Sequence, residues 1–126
     1  MKKLQFDNPI FRQGKNFTVR LGEKWKEQLH IGDFIEIEGW HGFAEIRCIH
    51  VCKLADIPEK ILELEHDPFC RTWEGLVKIL QKVYPTLNNI ESEAIEETTV
   101  TCLGFWLYQF YGGHDGSENM PLEIHP

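Results

Sequence analysis

The sequence predicts a single α+β domain, and three observations predict it. Between Gly14 and Gly22, apolar Phe17, Val19 and Leu21 alternate with polar Asn16, Thr18 and Arg20, the period of a half-buried strand. The same alternation returns in Phe34-Ile35-Glu36-Ile37-Glu38. From Trp73 to about Tyr84 the pattern changes: Trp73, Leu76, Val77, Leu80 and Val83 or Tyr84 recur at helical spacing until Pro85 stops them.

Composition sets the bounds. A chain of 126 residues with 42% hydrophobic and 26% charged residues is that of one ordinary globular domain, large enough to bury a core. No apolar run approaches the ~20 residues of a membrane helix. Met1-Lys2-Lys3-Leu4 opens with positive charge but lacks the apolar stretch of a signal peptide, so the expected location is the cytoplasm, away from membranes. The net charge of -7 hides an asymmetry: residues 1–30 carry seven basic groups against three acidic ones, and the remainder carries six against 17. Such an acidic chain has no broad field for duplex nucleic acid, although a local basic patch remains near the opening strand. Cys48, Cys52, Cys70 and Cys102 contain no C-x-x-C pair and read as reduced thiols.

In order, residues 1–13, with Phe6, Pro9 and Phe11, form a lead-in that packs over a sheet edge. The opening strand follows. Glu23 to Leu29 is a short amphipathic helix with Trp25 and Leu29 on one face. Gly32 makes a turn into the second strand, and Gly39-Trp40-His41-Gly42 closes a hairpin onto a third, Phe43 to Val51. Strict alternation in that strand puts Ile46, Cys48 and His50 on one face, with Arg47, Ile49 and Val51 on the other. Pro58 starts a short helix over 59–64, and Thr72 is a suitable N-cap for the helix from Trp73. Gly75 costs that helix about 1 kcal/mol relative to Ala. Residues 86–97 read as an acidic, solvated connection. Thr98 to Tyr111 is the strongest strand signal, and 112–126 reads as a flexible, turn-rich tail.

The polar face of the opening strand is the leading candidate site. It offers the Asn16 amide, the Thr18 hydroxyl and the Arg20 guanidinium. Lys15 shares the parity of Phe17, so it joins them only if a turn or bulge beside Gly14 swings it round. Trp40, at a glycine-bracketed loop tip, is the better of the possible base-stacking aromatics, ahead of Trp106 and Tyr108. Cys48, His50 and Cys52 invite a zinc reading, but Cys48 and Cys52 on one strand stand about 13 Å apart, too far for one metal. His114-Asp115-x-Ser117-x-Asn119 lacks the calcium-loop pattern. No metal and no cofactor are expected.

Taken in order, Gly14-Lys15-x-x-Thr18-x-Arg20, Ile31-Gly32-Asp33, Lys53-Leu54-Ala55-Asp56-Ile57, the helix ending in Tyr84-Pro85 and the last strand with Phe105 resemble the ASCH family, over roughly residues 10–107. The resemblance implies a PUA-like β-barrel of about five to six strands with two to three helices, in one domain spanning 1–126. ASCH and PUA-like domains are widely regarded as RNA-binding modules. One small bacterial branch hydrolyses N(4)-acetylcytidine with a Lys, a Thr three residues later and a downstream Glu. Lys15 and Thr18 match the first two, and Arg20 matches an Arg following the Thr. Counting back from Tyr84-Pro85 without gaps puts Phe69 in the place of the Glu; the nearest carboxylates are Asp67 and Glu65.

The residues and the resemblance support three functional expectations. The leading expectation is binding of RNA, a nucleotide or a nucleoside in a cleft lined by Lys15, Thr18 and Arg20, with Asn16 and Trp40 as further contacts, in a monomeric protein. The alternative is an amidohydrolase acting on N(4)-acetylcytidine or a related small amide. Thr18 attacks the carbonyl, Lys15 accepts its proton, and Asp67 or Glu65 protonates the leaving amine. The third is a protein-interaction module, in which Lys15 and Arg20 are engaged by acidic groups such as Glu36 and Glu38 and no cleft is left.

Overall fold

A computed structural model describes residues 2–40, 42–110 and 121–123. Strands β1 (Lys2–Leu4), β2 (Lys15–Leu21), β3 (Phe34–Ile37), β4 (Gly42–Lys53), β5 (Thr99–Phe110) and β6 (Pro121–Glu123) form one sheet. Its order is β1-β3-β4-β5-β2, with β6 added to β5. Helices α1 (Trp25–Gln28), α2 (Glu59–Glu63), α3 (Trp73–Val83) and α4 (Ser92–Ile95) complete an α+β fold, with 3₁₀ turns at Leu54–Asp56, Pro68–Arg71 and Pro85–Asn89. The acidic connection is thus more ordered than its polarity suggests, because Leu87 and Ile95 plug into the core. Residues 121–123 of the expected tail pair antiparallel with 108–110; the rest of the tail, with His114, Asp115, Ser117 and Asn119, lies outside the described residues. Among the described residues no helix is long and apolar enough to cross a membrane.

Alternation along β5 divides the core in two. Val100 and Cys102 face α3, where Phe17, Val19, Leu76 and Leu80 meet them. Leu103, Phe105 and Leu107 face the other way, onto Leu4, Leu29, Ile35, Ile37, Ala44 and Ile46. A strand buried on both sides has no polar face to lose, which is why β5 reads as a nearly continuous apolar run. Its Gly104 is a packing requirement: a Cβ there would stand 2.8 Å from Phe17 Cζ and 2.9 Å from Cys48 Cβ.

The structure departs from the expected alternation of β4 and from the expected barrel. Ile46 and Cys48 do not share a face. The pairing steps from Ile46↔Phe105 to Cys48↔Gly104, leaving Arg47 as the extra residue of a bulge, and one extra residue reverses every side chain beyond it. Ile46 and Ile49 thus both reach the second core, while Cys48 turns to the first. Nor does the sheet close into a barrel, for β1 and β2 stand at opposite ends of its hydrogen-bonded order. The outer edge of β2 is taken instead by residues 64–66. Phe17 N–H donates to the Leu64 carbonyl and His66 N–H to the Phe17 carbonyl, both at 2.8 Å. A short parallel bridge, Phe17↔Glu65, results.

Candidate functional site

The edge of β2 creates the site. Val19 N–H, next along that edge, finds no backbone carbonyl; it donates at 3.1 Å to Oε2 of Glu65. Oε1 of Glu65 accepts the Asp67 N–H at 3.0 Å. A carboxyl group therefore continues the ladder that a strand would otherwise complete. Two arginines hold the segment that carries it: Arg12 Nη2 donates to the Glu63 carbonyl at 2.7 Å, and Arg71 Nε to the Glu65 carbonyl at 3.0 Å.

Beside this edge opens a pocket. Its polar wall is Thr18, Arg20, Glu65, His66 and Asp67; its apolar wall comes from α3, with Leu76, Ile79 and Leu80, and ends at Tyr84. Thr18 is 4% exposed. Its Oγ1 accepts a hydrogen bond from Arg20 Nε at 3.3 Å, leaving the hydroxyl proton available to another acceptor. Arg20 also donates to the Gln5 carbonyl at 2.7 Å. Its guanidinium lies 4.7 Å from the Phe6 ring centre and 5.4 Å from that of Trp25.

Glu65 is 2% exposed. Burial pushes its pKa up to about 7, against the two backbone N–H bonds and the Arg20 charge that favour the carboxylate. His66, 7% exposed, is held down to about 4, again by burial first. Its ring sits edge-on to Phe6 at 4.9 Å and against Phe11 at 5.1 Å. Burial therefore keeps the imidazole uncharged near pH 7 and brings the carboxyl into its titration range there, and the two touch: His66 Nε2 stands 3.3 Å from Glu65 Oε1.

Of the residues singled out in sequence, Thr18, Arg20, Glu65 and Asp67 come together in the pocket. Asp67 has one oxygen committed, since Oδ1 accepts Phe69 N–H at 3.0 Å and caps the turn Pro68–Arg71. Lys15 is not among the pocket residues. It is exposed, and β2 keeps regular register through it, Lys15↔Trp106, so no bulge swings it towards Thr18. Its ammonium lies 5.6 Å from the Phe17 ring centre.

Asn16 is wholly buried and spent on the preceding turn: Oδ1 accepts Arg12 N–H at 3.1 Å and Nδ2 donates to the Arg12 carbonyl at 3.0 Å. It is a clamp rather than a ligand contact. Trp40 is not a projecting tip; it is partly buried against Phe11, with ring centres 5.3 Å apart. Trp106 lies under the Arg47 guanidinium at 4.6 Å, and Tyr108 stacks on Phe43 at 5.0 Å. Among the described residues no group of His, Cys, Asp or Glu is arranged to hold a metal. Arg20 donates to the Gln5 carbonyl, and Thr18 faces a pocket.

His66, Arg12 and Arg71 escaped the sequence reading. None belongs to a periodic pattern, and only the pairing of 64–66 with β2 gives them a role. Comparison with known proteins returns no matching family model, no matching curated protein and no matching solved structure.

Proposed function

We propose that this chain is an ASCH-type domain that binds a nucleoside-sized, uncharged ligand in the pocket lined by Thr18, Arg20 and Glu65. The observation carrying this reading is a buried carboxyl group with a pKa of about 7 in the wall of a pocket, beside a hydroxyl and a guanidinium. Such a polar cluster facing an apolar wall suits a flat heterocycle with an amide-like edge. The acidic groups Asp7 and Asp67 in the same lining disfavour phosphate. A long RNA is a weaker fit: Arg12 and Arg20, two of the basic groups of the first 30 residues, are turned inward onto carbonyls.

Titrating cytidine, N(4)-acetylcytidine, cytidine monophosphate and a short single-stranded RNA into ¹⁵N-labelled protein tests this. The nucleosides should shift the amide signals of Thr18, Val19 and Asp67, and cytidine monophosphate should bind more weakly. No shift with either nucleoside at millimolar concentration would refute the reading.

A second reading, hydrolysis of N(4)-acetylcytidine or a related small amide, is favoured by one further observation: a buried hydroxyl and a carboxyl poised near neutrality line the same pocket. With Lys15 outside, Glu65 takes both proton tasks. Ionised, it accepts the Thr18 proton as Oγ bonds to the acetyl carbon. It then passes that proton to the amide nitrogen as the C–N bond breaks, and water releases acetate from Thr18. Deacetylation no faster than in Thr18→Ala protein would exclude this chemistry for that substrate.

A further inference from the structure

His66 Nδ1 lies 2.9 Å from the Ile10 carbonyl oxygen. A carbonyl only accepts, so Nδ1 carries a hydrogen and donates it. In the neutral ring, Nε2 then presents a lone pair, and it presents it to Glu65 Oε1 at 3.3 Å, with the two side chains only 8% and 3% exposed. Two bare acceptors cannot face each other at that distance away from water. A proton must lie between them, or the contact is repulsive.

We infer that His66 is the positioning residue of this pocket, holding one buried proton on Glu65 through an Oε1–H···Nε2 hydrogen bond. The alternative placement of the proton, as imidazolium against carboxylate, puts two charges on nearly buried side chains packed against Phe6 and Phe11. Burial disfavours that ion pair. The other charged groups around the pair leave this assignment standing. Arg20 from β2 and Arg71 from the turn Pro68–Arg71 disfavour a positive charge on the imidazole, whereas Asp67 favours one. Asp67 disfavours a negative charge on Glu65 while Arg20 favours one, and burial remains the largest influence on both groups.

The inference rests on the pocket reading only for its use. When a ligand nitrogen takes the proton, the Glu65 O–H bond breaks, an N–H bond forms on the ligand, and the pair passes from neutral to one negative charge facing Arg20. His66 gives no proton to the ligand in this step. It sets how readily Glu65 regains the proton.

NMR of the full chain, without any ligand, tests the pair by itself. The side-chain ¹³C signal of Glu65 should titrate near neutrality, and His66 should remain the Nδ1–H tautomer, with its Nε2 signal moving at the same midpoint. His66→Phe keeps a ring between Phe6 and Phe11 but removes the acceptor, so the Glu65 midpoint should fall by about one pH unit. Asp67→Asn should leave the coupled titration in place. A Glu65 midpoint in the ordinary carboxylate range, an imidazolium at His66 at neutral pH, or an Nε2 signal indifferent to Glu65 would overturn the inference. Should His66→Phe fail to fold, the wild-type tautomer and coupled midpoint still decide. Loss of nucleoside binding with the coupled titration intact would refute the pocket reading and leave the pair standing.

Discussion

Replacing Glu65 with Gln should give the protein a pH-dependent stability that the wild type conceals. The pKa of Glu65 rises on folding from an ordinary 4.5 to about 7. Between those values the folded state holds a proton that the unfolded chain has released. Its contribution is fully present below pH 4.5 and is lost as pH rises through 7. For His66 the folded pKa falls from 6.5 to about 4. The unfolded chain then holds the extra proton, and stability is lost as pH falls through 4. At about 1.4 kcal/mol per pH unit, each group alone tilts stability by about 3 kcal/mol over its window. The two tilts oppose each other, so between pH 4.5 and 6.5 they cancel. Glu65→Gln removes the first and should leave stability rising by about 2–3 kcal/mol from pH 4.5 to 6.5, relative to wild type. His66→Phe leaves the opposite tilt. Urea unfolding at half-unit pH steps reads this directly, since a slope of about 1–3 kcal/mol per molar urea turns the change into a midpoint shift of about 1–3 M. A Glu65→Gln profile parallel to wild type, or two variants tilting the same way, would refute the reasoning.

Other substitutions separate site from scaffold. Lys15→Ala should leave nucleoside affinity within about twofold by calorimetry, because Lys15 is exposed and outside the pocket. Arg20→Ala should lower stability by about 2 kcal/mol in denaturant melts and weaken nucleoside binding, since it strips the Gln5 hydrogen bond and two ring contacts. Gly75→Ala should destabilise by about 1–3 kcal/mol in thermal melts despite the better helix propensity of Ala, because the added Cβ would run into the Phe69 carbonyl oxygen.

Those contrasts show where sequence patterns carry information. Alternation in β2 and β3 and the periodicity of α3 are local, and local structure follows them within a residue or two. Thr72 accepts the Gly75 N–H at 3.1 Å, the N-cap its position announces. Arg47 breaks a pattern without a local signal: nothing in Glu45-Ile46-Arg47-Cys48 marks a bulge, and only packing Ile46 and Ile49 into one core requires it. Gly75 reads as a helix defect until the Pro68–Arg71 turn is laid across it. Trp40 reads as a tip until Phe11, 29 residues earlier in the sequence, comes to rest against it. Lys15 followed its strand parity after all. Each case beyond local pattern depends on a contact between distant segments, which spacing cannot encode.

Glu65 is the instructive case because its structural and chemical roles have one origin. In Leu64-Glu65-His66-Asp67 two carboxylates stand two residues apart and are indistinguishable by spacing. What distinguishes them is the edge of β2. If that edge were closed by a strand, Val19 N–H would bond a backbone carbonyl, and the space beside Thr18 would be filled. Because the edge is met only by 64–66, Val19 N–H donates to a side chain, and Glu65 is carried out of water to accept it. Leaving that N–H unpaired would cost about 1–3 kcal/mol, enough to hold the carboxyl in place. The same burial raises its pKa, brings it against His66 and opens a pocket in front of it. An interrupted sheet thus produces a carboxyl that is anchored by backbone and reluctant to ionise, and Asp67, capping the next turn, is left as its neighbour.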